Sequence, residues 1–272
     1  MLTYRFMQVA FIVSVLLGIV LPFVGSTAVY KRLSSSGDAL AHSSLAGVAI
    51  GLAAGFSPII TSVIACIVSF IIIEILRKKF NKFSEIGVSV VLSAAIGLAG
   101  ILSSYTSTTN FDSYLFGSIL LISNTELIFT IVLTVVVLLF FLIFYRQIFS
   151  ILYSESESKV DGTHVNILTF IMDLLLSITI AIGSKIVGSL VVSSLIVLPT
   201  AIALQFKKGY KITLILSLIF SVLSMTLGLT FSYYLDLKPG ATIVTLSVIF
   251  LIIIFVIKGI IALITRKKKL KE

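Results

Sequence analysis

Long apolar runs, separated by short polar stretches, occupy most of the chain. Measured against the roughly 20 residues that a helix needs to cross a bilayer, they predict about nine membrane-spanning helices. The runs lack the period-two alternation of β-barrel strands, so the sequence predicts an all-α polytopic bundle. Their approximate ranges are 6–29, 38–55, 58–76, 86–102, 125–145, 166–183, 186–205, 211–234 and 242–264. A shorter segment, 114–122, is interpreted as a re-entrant or interfacial piece.

Composition agrees with this pattern. The 272 residues are 58% hydrophobic and 11% charged, with a mean hydropathy of +1.22, which is more apolar surface than one soluble core can bury. We therefore expect a single integral membrane domain over residues 1–272. The only cysteine, Cys66, excludes an intrachain disulfide and a cysteine-rich metal cage.

Basic residues predict the orientation, because cytoplasmic loops are enriched in Lys and Arg. If the nine runs alternate, sixteen of the twenty basic residues fall on one side. They are Lys31, Arg32, Arg77, Lys78, Lys79, Lys82, Arg146, Lys159, Lys207, Lys208, Lys211, Arg266, Lys267, Lys268, Lys269 and Lys271. This count predicts an amino terminus outside and a carboxy terminus in the cytoplasm. Because this orientation rule accounts for the basic residues behind the net charge of +9, we expect membrane lipid around the chain and no nucleic-acid partner.

Asp38 and His42 stand four residues apart at the head of the second run. Four residues is just over one helical turn, so both side chains lie on one helix face, where an oxygen and a nitrogen can bind one divalent cation. Ionisable groups inside a membrane are costly and mark functional sites by default. Two other interpretations stay open: Asp38 as the N-cap of this helix, and His42 as a neutral side chain bonded to a serine or a carbonyl.

Small residues recur every four positions along the same run, which predicts close approach by a neighbouring helix. They are Ala39, Ser43, Gly47, Gly51 and Gly55. Asp38 and His42 would then lie beside a tight helix contact. From Asp38 to Gly55 a helix rises only about 26 Å, which puts Asp38 near the cytoplasmic edge. Either residues 33–37 dip into the bundle, or the site lies near the inner gate.

Pro199 leaves the carbonyl of Leu195 without its helical partner. This carbonyl, together with Ser193 and Ser194, is a candidate lining of a cation pathway, and a simple helix kink is the alternative. Three other ionisable groups are less informative. Asp173 fits either an interfacial or a pathway-lining position, while Glu74 and Glu126, near run ends, are expected to face headgroups.

The cytoplasmic connection at about 147–165 is polar and acidic, whereas the other cytoplasmic loops are basic. A plain linker is one interpretation, and a docking segment for another subunit is the second. No G-x-x-x-x-G-K-[ST] motif occurs in the chain, so it cannot hydrolyse ATP in the P-loop manner. We expect a transporter subunit without enzyme activity, and any ATPase activity would belong to a partner chain.

The sequence resembles the membrane permeases of ATP-binding-cassette importers for zinc and manganese. The resemblance covers essentially the whole chain in the family's order. It rests on residues 6–8, 24–26, 31–34, 37–49, 115–120, 185–199 and 228–232, with the family's G-D-x-x-x-H motif at Asp38 and His42.

The resemblance implies a homodimeric permease in a bacterial plasma membrane. It implies two cytoplasmic ATP-binding subunits, an extracytoplasmic metal-binding protein, and no permanently bound cofactor. Asp38 and His42 would belong to the ion pathway. The coupling segment would fall at 154–162, with Glu155, Glu157, Asp161 and Gly162 as its contact candidates, although Ser154 and Ser158 depart from the family's usual Asp and Ala.

Two signature sequences, Ser-Leu-Ala-Gly after His42 and Val-Ser-Ser-Leu before Pro199, resemble the zinc branch of the family more than the manganese branch. We therefore expect a zinc-importing permease with alternating access. A manganese or mixed permease is the alternative in the same class. A secondary cation carrier driven by an ion gradient is the alternative in another class.

Overall fold

A computed structural model describes residues 4–80, 84–104, 114–115, 117 and 122–269, without the side chains of residues 84 and 262–269. Eleven helices of six residues or more account for nearly all of this part of the chain, and no strand occurs in it. They are α1 (Arg5–Tyr30), α2 (Ser34–Ala54), α3 (Pro58–Phe80), α4 (Ser84–Ser103), α5 (Asn124–Ile143), α6 (Tyr145–Tyr153), α7 (Glu155–Val160), α8 (Val165–Val187), α9 (Ser189–Leu204), α10 (Tyr210–Leu235) and α11 (Pro239–Lys269).

Seven helices in the described ranges are long and apolar enough to cross a membrane: α1, α3, α4, α5, α8, α10 and α11. Each of the predicted apolar runs is covered by a helix. However, α9 has only 16 residues, and α2, which carries many small and polar residues, is not among the seven. The structure is therefore that of an integral membrane helical protein.

Burial is graded from the inner helices to the outer ones. In α1 and α8, 61% of the apolar stretch is buried, against 22% in α3 and 17% in α11. Apolar side chains that are exposed on the outer helices can contact lipid, which gives them an apolar environment like that of a protein core. Thus α1 and α8, together with α2, most of whose residues are buried, form the inner part of the bundle.

Two buried ion pairs hold α8 to its neighbours. Near its start, the two carboxylate oxygens of Asp173 each accept a hydrogen bond of 3.0 Å from the ammonium group of Lys31, at the end of α1. Near its end, Lys185 forms an ion pair with Glu126, in the first turn of α5. The prediction that Glu126 faces headgroups is wrong, because its partner lies on a helix distant in sequence and the residue is only 7% exposed.

The corner between α1 and α2 is short and tightly bonded. Arg32 adopts a left-handed conformation with φ of 58°, and the backbone N–H of Leu33 donates to the carbonyl of Ala28 at 2.7 Å. Three residues thus reverse the chain, and α2 begins directly after the Lys31–Asp173 pair.

Glycine allows α1 to approach α9 closely. A Cβ atom at Gly25 would collide with the carbonyl oxygen of Ile196 and would lie only 3.2 Å from the Cα of Ile196. This contact brings the inner half of α9 against the end of α1.

The predicted re-entrant segment 114–122 lies largely outside the described residues. Within it, Tyr114 and Leu115 pack against an apolar cluster of α2 and α4. Gly117, with φ of 80°, lies directly against the backbone of Val187.

Candidate cation site on α2

Asp38 lies one full turn inside α2. The helix begins at Ser34, and its N-cap is Leu33, which makes no side-chain capping bond. The interpretation of Asp38 as the N-cap is therefore wrong. Because the chain becomes helical four residues before Asp38, the Cα of Asp38 lies about 6 Å along the helix axis from that of Ser34.

The face that carries Asp38 and His42 is open, whereas most of α2 is buried. Asp38 is exposed and His42 is half-buried. Their spacing places them on one face, and the carboxylate acts electrostatically on the imidazole. This face can offer one oxygen and one nitrogen ligand to a divalent cation.

One chain does not complete a metal shell in the part that the structure describes. There, no three side chains of His, Cys, Asp or Glu come together as a metal-binding group. Structural zinc sites have four ligands, whereas Asp38 and His42 supply two. Asp38 and His42 therefore do not by themselves form a complete four-ligand site among the described residues.

The small residues of α2 lie against α3. A Cβ atom at Gly47 would come within 2.6 Å of the carbonyl oxygen of Thr61, and one at Gly51 within 3.1 Å of the Cα of Pro58. Ser43 is buried and donates its hydroxyl to the carbonyl of Ala39 at 2.7 Å. The open Asp38/His42 face therefore lies beside a close contact between α2 and α3.

Helix α9 borders α2 near Asp38. A Cβ atom at Gly37 would lie 4.0 Å from the side chain of Ile196. Ser193 and Ser194 are partly exposed, whereas Leu195 and Pro199 are buried. Of the predicted pathway candidates on α9, the two serines thus lie on a partly open side, and the other two residues pack inside the bundle.

Two polar contacts that the sequence did not predict join α2 to α8 and to α3. The hydroxyl of Ser44 is bonded to that of Ser184 on α8. Cys66 of α3 donates its thiol to the carbonyl of Leu40 at 3.3 Å. Serine and cysteine inside apolar runs carry no local signal for such partners, which lie on helices distant in sequence.

The predicted coupling segment forms two short helices. Ser154 caps α7, accepting the N–H of Glu157 at 3.3 Å. Ser is as good an N-cap as Asp, so this departure from the family pattern keeps the capping function. Ser158 is fully buried and bonded to the hydroxyl of Ser150 at 2.7 Å, so the second departure adds a bond between α6 and α7.

The contact candidates of this segment face outward. Glu155, Glu157 and Asp161 are exposed, and Gly162 ends the turn with φ of 76°. Val160 is 88% exposed. Tyr153 is 81% exposed, so an acidic surface flanked by exposed apolar side chains is available to another protein.

The described residues form an all-helical membrane bundle with Asp38 and His42 on an open helix face and a folded acidic segment, which is the architecture of a polytopic membrane protein. The chain belongs to the ABC 3 transport family, whose model matches residues 3–258. It is a membrane permease subunit of the zinc and manganese ATP-binding-cassette importers.

Curated relatives name both metals. The chain is 37% identical to a "Probable metal transport system membrane protein" of Treponema pallidum, over 93% of this chain and 96% of the relative. It is 28% identical to the manganese transport protein MntC of Listeria monocytogenes, over 94% and 91%. It is 27% identical to the zinc uptake protein ZnuB of Haemophilus influenzae, over 88% and 92%.

A solved structure has the same fold. The chain matches "PsaBC from Streptococcus pneumoniae in complex with Fab" with a TM-score of 0.82 and 27% identity, over 93% of this chain and 91% of the other.

Proposed function

We propose that this permease imports zinc, and that Asp38 and His42 bind the ion on its way through the membrane. The observation that carries the proposal is the open face of α2, where two metal-ligating side chains stand on a helix that is otherwise mostly buried. Zinc accepts both carboxylate and imidazole ligands. Signature sequences of the zinc type around His42 and before Pro199 support zinc over manganese.

Uptake of radiolabelled zinc by cells tests the site. Asp38→Ala and His42→Ala should each abolish uptake while the protein still reaches the membrane. Ser35→Ala, on the exposed first turn of α2, is the matched control and should leave uptake unchanged. Normal uptake by both site variants would overturn the assignment.

Manganese is the second candidate, since relatives named for manganese and for zinc match the chain similarly. Competition by each unlabelled metal against radiolabelled zinc, in the reconstituted complex, separates the two. Zinc import predicts that manganese competes only at large excess. Equal competition would indicate a mixed permease.

A second copy of the chain would complete the site. Two copies that meet at the open face would bring two carboxylates and two imidazoles together, which matches the four ligands that zinc prefers. The partly exposed side of α9, with Ser193 and Ser194, would then lie in or near the same interface. Crosslinking of a His42→Cys variant, made in a Cys66→Ala background, should yield a disulfide-linked dimer, whereas crosslinking from α11 positions should not.

The proposed topology has nine spans, with the amino terminus outside, the carboxy terminus in the cytoplasm, and residues 1–272 as one permease domain. The two buried ion pairs support it, because each joins two residues in the halves of their helices that the charge count assigns to the same side. Single cysteines introduced at Lys208 and Leu237, again in the Cys66→Ala background, should be labelled only from the inside and only from the outside, respectively.

Energy would come from two cytoplasmic ATP-binding subunits that dock on the segment 147–165, including Glu155, Glu157, Asp161 and Gly162. Its folded helices and exposed acidic surface support docking over a plain linker. A metal-binding protein would deliver the ion from outside the bacterial plasma membrane, and closure of the ATPase pair would rock the helices around the site. Zinc transport by this chain alone in liposomes, without ATP, would instead indicate a gradient-driven carrier.

A further inference from the structure

Tyr210 is the buried centre of an aromatic cluster at the cytoplasmic end of the bundle. It is the first residue of α10 and is 6% exposed. Its ring lies 6.3 Å from that of Tyr145 and 6.0 Å from that of Phe149, both on α6. Aromatic pairs at these separations contribute beyond their buried area. Through Tyr210, α10 therefore contacts the helix that precedes the docking surface of α7.

On its other side, Tyr210 contacts α1. Its ring forms a T-shaped pair with that of Tyr30, with centroids 5.3 Å apart and an angle of 78° between the ring planes. Its hydroxyl lies 3.4 Å from that of Ser26. Because Ser26 already donates to the carbonyl of Phe23 at 3.0 Å, Tyr210 is the donor of this longer bond. One side chain thus joins α6 to the last turn and a half of α1.

The end of α1 leads directly to the candidate cation site. Tyr30 is followed by Lys31, which pairs with Asp173, and by the short corner into α2. Asp38 lies on the second turn of α2, eight residues after Tyr30. A displacement of α1 at Tyr30 must therefore move the corner and, with it, the first turns of α2.

We propose that Tyr210 is a positioning residue that carries the movement of the docking segment to the α1–α2 corner, and so to Asp38. This inference rests on the proposed function. The docking segment has a second contact with the bundle. Ile151 of α6 packs against Val165 and Leu168 at the start of α8. Tyr210 touches both α6, the helix that precedes the docking surface of α7, and α1.

The test is the ratio of zinc transported to ATP hydrolysed by the complete reconstituted complex. Tyr210→Leu removes the ring contacts, and we expect this ratio to fall about tenfold, in the range of measured coupling between sites. ATP hydrolysis and zinc binding at Asp38 and His42 should persist. Tyr210→Phe keeps the rings and should lose less than about twofold, since only the long hydroxyl bond is removed.

Phe220→Leu is the matched control. Phe220 lies on the same helix and stacks on Phe206 at 6.3 Å, away from α6, so its removal should leave the ratio unchanged. Phe149→Leu is the second variant, because Phe149 is 45% exposed and its substitution spares the core. It should lower the ratio, and its effect should not add fully to that of Tyr210→Leu, as expected for residues in contact.

The outcomes are distinct. An unchanged ratio in Tyr210→Leu, or in Phe149→Leu if Tyr210→Leu fails to assemble, would overturn the role of Tyr210. Fully additive effects of the two substitutions would also overturn it. Failure of the unmodified complex to transport zinc at the expense of ATP would instead contradict the proposed function.

Discussion

Removing the charge of Asp173 should destabilise the protein strongly. In Asp173→Asn, the ammonium group of Lys31 loses a partner that accepts two bonds of 3.0 Å. The side chains of Lys31 and Asp173 are only 9% and 10% exposed. Loss of one partner of a buried ion pair costs about 3–5 kcal/mol, since the other charge remains buried.

The lower end of that range applies here. Glu74 lies close enough to act electrostatically on the Lys31–Asp173 pair, so a negative charge remains near Lys31 in the variant. Lys31 also lies at a helix end, from which its long side chain can reach the membrane surface. A loss of about 3 kcal/mol corresponds to a fall of roughly 6–12 °C in Tm for a chain of this size.

Cys66 provides the assay. It is the only cysteine and is fully buried, so a thiol-reactive dye added to the detergent-purified protein reports the temperature at which the bundle opens. Lys31→Met/Asp173→Leu should recover most of the loss, because an apolar pair can replace a buried ion pair. Lys78→Met removes an exposed partner of Glu74 at 3.4 Å and, as the control, should change stability by less than about 0.5 kcal/mol. A Tm of Asp173→Asn equal to that of the unmodified protein would refute the reasoning.

Four other substitutions have defined outcomes. Gly25→Ala should lower the stability by about 1–3 kcal/mol, because the new Cβ collides with the backbone of Ile196. Gly97→Ala, with open space around it, should raise the stability by up to about 1 kcal/mol. The same dye measures both variants, and equal Tm values would contradict the α1–α9 contact. Ser154→Ala removes the cap of α7, which costs about 1 kcal/mol of helix stability. Binding of the ATP-binding subunit should therefore weaken about fivefold in a pull-down titration. Undiminished binding would argue against docking at this segment. Asp38→Asn should lower zinc affinity in equilibrium dialysis without lowering Tm, because the side chain is exposed, and retained affinity would remove Asp38 from the site.

The helices could be predicted from the sequence because lipid contact requires long apolar runs, which are visible locally. The second apolar run begins four residues after α2 does, since Ser34, Ser35 and Ser36 have no apolar signal although the structure makes them helical. The sequence predicts only a loop where α6 and α7 lie, because α6 is short and is held by burial of Ile148 and Ile151, while the polar α7 depends on the cap of Ser154.

The candidate site was predictable in part. Asp38 and His42 share one helix and their spacing alone places them on one face. In contrast, the partner of the small residues of α2 and the partner of Glu126 depend on how distant helices pack. The cluster around Tyr210 has the same origin, as it joins residues from three parts of the chain, and no single run contains its pattern.

The graded burial of the helices has a practical consequence for spectroscopy. Positions on the outer face of α11, such as Ile253 at 47% exposure, should accept bulky spin labels or fluorophores without disturbing the interior, whereas α1 and α8 have little room for them. Pairs of probes on α11 and on exposed α3 positions would therefore record changes in the outline of the protein during a turnover cycle, while the inner helices that produce those changes keep their native side chains.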